Sequence, residues 1–110
     1  MQNILEHMLE DALDIVNFAK EVGNACAFSS NKLYRKAIIM SILNIGELAK
    51  QLPNEFKSAH VDVPWKKIAG MRDIAAHGYH IMDDDIIWDV VTKSVPELLV
   101  FLQSLLEQDK

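Results

Sequence analysis

The chain holds a single cysteine, Cys26, among 110 residues. It can form no internal disulfide and fits a reducing, cytoplasmic setting. No basic residue lies close to Cys26 in sequence, so it is expected to be inert. There are only three prolines and four glycines, and half of the residues are hydrophobic, which excludes a disordered or linker-like chain. Apolar runs are short, and none approaches the ~20 residues that cross a bilayer. Met1 to His7 show no basic stretch leading into an apolar core, so no signal peptide is expected. Histidine, cysteine and acidic residues nowhere fall into a recognised ligand spacing, so no metal and no cofactor are expected. Gly78 interrupts the spacing of His77 and His80 in particular. The sequence therefore reads as one soluble domain over residues 1–110, long enough to bury a core.

The net charge is −5, which argues against a general nucleic-acid coat. Its distribution is uneven. Residues 1–30 carry a net −4, residues 31–72 a net +5 and residues 73–110 a net −6. The central island holds Lys32, Arg35, Lys36, Lys50, Lys57, Lys66, Lys67 and Arg72. Such an island can guide a phosphate chain, but solvated helix faces paired with acids elsewhere account for it as well.

Apolar spacing predicts helices throughout. The first, Met1 to about Val22, repeats Ile4, Leu5, Met8, Ala12, Ile15, Val16 and Ala19. Gly23 and Asn24 should end it, and Ser29 or Ser30 should cap the next helix after a short loop. The second helix, about Asn31 to Gln51, is apolar nearly all round between Ala37 and Leu48. That implies burial on more than one side, with a second copy of the chain as a candidate cover. Gly46 and Ser41 would allow a close helix approach. Residues 53–63 read as a connector, and Pro64 suits the first turn of a third helix, about Trp65 to His77, with Gly78 as its left-handed terminator. Asp83, Asp84 and Asp85 open a last helix that runs to about Glu107, with Ile86, Ile87, Val90 and Val91 among its core residues. Pro96 should kink or split it. Trp65 and Trp88 are expected to pack in the core or at its rim. The expected fold is all-α, an antiparallel bundle of four to five helices.

Chemistry concentrates at Met71 to Tyr79. Asp73 and His77 are four residues apart and share a helix face, so the carboxylate can orient the imidazole. A position at the helix C-terminus would also favour imidazolium. Arg72 lies roughly 140° around the helix from His77 at ~100° per residue. The two can converge at a groove edge if the helix ends at His77, or two copies can bring their pairs together across a two-fold axis. Arginine supplies a permanent charge and a fork of donors for phosphate, while histidine exchanges protons near neutrality. Glu47 is open to two readings, a polar contact in the cleft or an ordinary carboxylate at a helix end. Asp83 to Asp85 bring negative charge close in sequence to this segment.

The order Arg72-Asp73-x-x-x-His77-Gly78-Tyr79 resembles the R-x-x-x-x-H-x-Y signature of HEPN-domain proteins, especially the HepT toxins. Ile45 to Lys50, Pro64 to Met71 and Ile87 to Val91 resemble the family's flanking segments, so the likeness covers essentially the whole chain. The resemblance implies a homodimeric, metal-independent ribonuclease toxin with a composite site at the subunit cleft. Arg72 and His77 would be its catalytic pair, supported by Asp73. It also implies a partner, a minimal nucleotidyltransferase of the MntA type, which neutralises the toxin by transferring AMP to Tyr79. The competing reading is a non-catalytic subunit that binds a nucleotide or docks the nucleotidyltransferase.

Overall fold

The computed structural model describes residues 2–61, 63–81 and 84–108, with side chains described for all of these except Ile74, residues 77–81 and Gln108. Among the described residues every regular element is helical: α1 (Gln2–Val22), α2 (Ala25–Ser30), α3 (Lys32–Gln51), α4 (Asn54–Ala59), α5 (Trp65–Ile81), α6 (Asp84–Asp89), a π-helical segment (Val90–Ser94) and α7 (Val95–Gln108). Four long helical rods, the last made of α6, the π segment and α7, form the expected all-α bundle.

Helix α3 is its centre, packed between α1 and α5, while α1 also packs against α7. The breadth of the apolar surface on α3 is thus largely met within one chain. Ile38, Ile39, Ile42, Ile45 and Ala49 are buried, along with Leu5, Met8, Ala12 and Ile15 of α1 and Ile68, Met71 and Ala75 of α5. What α3 leaves in solvent is one narrow stripe. Met40, expected in the apolar belt, is 58% exposed on it, and Leu33 is 75% exposed. Trp65 is buried, and Trp88 packs against Phe28 with ring centroids 5.3 Å apart.

Several boundaries differ from the sequence expectation, each for a local reason. Gly23 does end α1, at φ 93°. The loop after it is instead the short helix α2, capped by Asn24, whose Oδ1 accepts from the Ala27 amide at 2.8 Å. The cap of α3 is Asn31, whose Oδ1 accepts from the Tyr34 amide at 3.2 Å. Ser30 instead donates its hydroxyl back to the Cys26 carbonyl at 3.1 Å. Both serines lie inside α2, one and two residues too early to cap α3. The connector contains α4, and Pro64 stands just before α5, where its carbonyl accepts from the Ile68 amide at 3.0 Å. Ile86 is 49% exposed rather than core, because the helix start turns Ile87 inward.

Helix α5 also does not stop at His77. It continues through Gly78 to Ile81, so Gly78 is not a left-handed terminator and His77 does not lie at a helix C-terminus. Glycine disfavours a helix interior by about 1 kcal/mol relative to alanine, which does not forbid it. The last rod is interrupted just before Pro96, where a π-helical segment, Val90–Ser94, separates the α-helices Asp84–Asp89 and Val95–Gln108. The turn before the proline widens, with the Val95 amide bonded to the Val90 carbonyl across five residues. A wider turn relieves the clash of a proline ring with the carbonyl four residues earlier.

Candidate functional site at the α3–α5 contact

Arg72 sits at a close approach of α5 to α3. An ideal Cβ placed on Gly46 would lie 2.6 Å from Arg72 Cβ and 2.9 Å from its backbone nitrogen. The helices meet there because position 46 has no side chain, the close approach that the glycine suggested in the sequence. The next residue, Glu47, is thereby presented to the guanidinium. Its Oε1 pairs with Arg72 Nε. Glu47 is thus a polar partner of Arg72 and, at 52% exposed, not a buried carboxylate at a helix end.

On the other side, Asp73 Oδ1 lies 3.4 Å from Arg72 Nη1. Among the described residues Nη2 makes no hydrogen bond. Arg72 remains 43% exposed, so its outer edge can be reached from solvent. Asp73 therefore contacts its neighbour Arg72. The side chains of His77 and Tyr79 lie outside the described residues, as do those of His80 and Asp83.

Their backbone positions on α5 are informative. His77 lies on the same continuous helix as Arg72, so the roughly 140° between them persists. Convergence by ending the helix at His77 is ruled out. Tyr79 is seven residues beyond Arg72, which returns it to within about 20° of the same line along the helix. Helical spacing between positions 77 and 80 also holds, contrary to the expectation that Gly78 would break it. Among the described residues no group of three or more histidine, cysteine or acidic side chains is placed to hold a metal ion.

Glu47 also lines an open groove of about 370 Å³ between α1 and α3, with His7, Glu10, Asp11, Asn44, Leu48 and Gln51. The Asp11 carboxyl is pushed up from 3.8 to about 6, first by burial and then by the charges of Asp14 and Glu10, with His7 opposing. Carboxylates make this groove a poor track for a phosphate chain, so Arg72 marks the edge of an acidic surface.

The basic island divides. Lys32, Lys36, Lys50, Lys66 and Lys67 are exposed, but Arg35 is buried and pairs through Nε with Asp84 Oδ1 at 2.8 Å. Of the acidic turn after the motif, Asp84 is thus committed to the core and does not confront Arg72. No helix among the described residues is long and apolar enough to cross a membrane.

Comparison with known proteins bears on the family of the chain. The family described as "Ribonuclease HepT-like" matches residues 8–105. A protein of Caldanaerobacter subterraneus subsp. tengcongensis, named "Putative RNase TTE0752", is 36% identical over 106 residues, covering 96% of this chain and 94% of its own. The "Probable ribonuclease HepT" of Thermococcus cleftensis is 32% identical over 93 residues, covering 82% and 84% respectively. No solved structure matches the chain. Matched over residues 8–105 by the family model and over most of its length by these relatives, the chain belongs to the HepT-like family of HEPN-type domains.

Proposed function

We propose that the protein is a metal-independent endoribonuclease, the toxin of a toxin–antitoxin pair, acting as a cytoplasmic homodimer. The observation that carries this reading is Arg72, anchored at the α3–α5 contact with its outer edge open, five residues before His77 on one helix. In the proposed reaction one histidine takes the proton of a ribose 2′-hydroxyl. The oxygen then attacks the adjacent phosphorus, and a second histidine protonates the departing 5′-oxygen. Arginine stabilises the charge that builds on the phosphorus oxygens. The products are a cyclic phosphate and a free 5′-hydroxyl.

Two features of one chain favour a composite site. Arg72 and His77 diverge around α5, so a second copy is the simplest source of a facing pair. The exposed Leu33 and Met40 are spaced by seven residues from each other and from Glu47, so they share its line along α3. This leaves an apolar strip leading to the site, suited to a second copy.

Regulation by AMP transfer to Tyr79 fits the helix register. A nucleotide on the line of Arg72 adds bulk and negative charge where RNA phosphate must approach. The donor would be a partner nucleotidyltransferase of the MntA type.

Purified protein is expected to cut total RNA into defined fragments in excess EDTA, and His77→Ala is expected not to. Equal cleavage by both would sink the assignment. Silence from a wild type whose mass shows no adduct would favour the docking-subunit reading. For Tyr79, incubation with the transferase and ATP should add AMP units that map to this residue, and Tyr79→Phe should keep cleavage yet resist neutralisation. Adducts confined to other residues would refute that assignment.

A further inference from the structure

We propose that Glu47 is a positioning residue that fixes the Arg72 guanidinium for the reaction, and that Gly46 exists to bring the two together. The inference rests on the ribonuclease reading and adds to it a residue from a different helix. The pair bridges α3 and α5, and both side chains are about half exposed, 43% for Arg72 and 52% for Glu47. An ion pair so exposed adds little to folding, so stability is a weak reason for it.

Its geometry suits a role in the site. Glu47 takes the Nε position, at the root of the fork. It thereby restrains the rotation of a long side chain that stays 43% exposed. A donor group fixed before substrate arrives costs no reorganisation in the transition state. Gly46 removes the one Cβ that would hold α3 away from Arg72. The carboxylate also carries a cost, because its negative charge opposes the RNA backbone. Its removal should therefore not weaken RNA binding, although it slows the chemistry. That opposition separates a positioning role from a purely structural or inhibitory one.

The test uses the wild type with Glu47→Ala, Glu47→Gln and Arg72→Ala. It reads steady-state cleavage of a defined oligoribonucleotide and the ¹⁵N–¹H signal of the Arg72 Nε–H, assigned by its loss in Arg72→Ala. The wild-type signal should exchange slowly with water. It should exchange fast in Glu47→Ala and fall between the two in Glu47→Gln, whose amide oxygen still accepts. The kcat of Glu47→Ala should fall about 10- to 100-fold with KM unchanged or lower, and Glu47→Gln should recover part of the loss.

A signal in Glu47→Ala that exchanges as in the wild type overturns the proposal. So does a kcat equal to or above the wild type, which would make Glu47 a bystander or a brake. Cleavage as fast in Arg72→Ala as in the wild type instead sinks the ribonuclease reading, and the catalytic half of this proposal with it. The exchange measurement reads the anchoring half independently of activity.

Discussion

Replacing Arg35 by methionine is expected to lower stability by about 3–5 kcal/mol, the loss typical when one partner of a buried ion pair is removed. Arg35 and Asp84 side chains are only 8% and 11% exposed. Methionine fills much of the same volume, so the loss comes from the polar contacts of Arg35, the stranded Asp84 carboxylate among them. For a domain of this size that is a fall in Tm on the order of 15 °C, to be read by thermal unfolding. The double variant Arg35→Met, Asp84→Leu should regain most of it, because a well-packed apolar pair can replace a buried ionic one at little cost. A single variant within a few degrees of the wild type would show that Asp84 escapes to water. The contact would then contribute nothing to holding α6 on α3.

Gly46→Val is the second large effect. The new Cβ would meet both the Arg72 side chain and its backbone nitrogen, and a backbone atom cannot swing aside. Overpacking of this kind costs typically 1–3 kcal/mol. The gain in helix propensity over glycine is at most about 1 kcal/mol. A net loss of about 2 kcal/mol is expected in the denaturant midpoint, together with a fall in RNA cleavage as Arg72 moves away from Glu47. Gly70 is the control. A Cβ there meets nothing within 4 Å, so Gly70→Ala should be neutral or stabilising by up to about 1 kcal/mol. If both variants behave alike, the close contact at position 46 is not what keeps it glycine.

Much of this was legible in the chain before its fold. The spacing of Leu5, Met8, Ala12 and Ile15 marks the buried face of α1, and all four are buried. The arginine–histidine spacing and its neighbours nominated the candidate site, and Gly46 pointed to the close approach that the helices make there. What the sequence hid was non-local or ambiguous. Asn31 and the serines before it are all good caps, and only the placement of α2 decides among them. Met40 looks like core by type, but α1 and α5 together leave its side of α3 uncovered. Gly78 carries the signal of a helix end, yet about 1 kcal/mol is too little to enforce one. The partner of Glu47 lies on another helix, and no local pattern names it.

The widened turn at Val90–Ser94 has a consequence for how one rod meets two sets of neighbours. Before it, α6 packs against α2 and α5. After it, α7 packs against α1. The buried positions Ile87, Val91 and Val95 step by four across the wide turn, whereas Val95, Leu98, Leu102 and Leu105 step by three and four beyond it. A uniform α-helix would let the first series drift around its axis by about 40° at each step. The extra residue in the turn absorbs that drift, so the segment acts as a phase adjuster. It keeps the Asp84 end aligned with Arg35 while the far end stays aligned with α1, and a chain one residue shorter there would have to give up one alignment to keep the other.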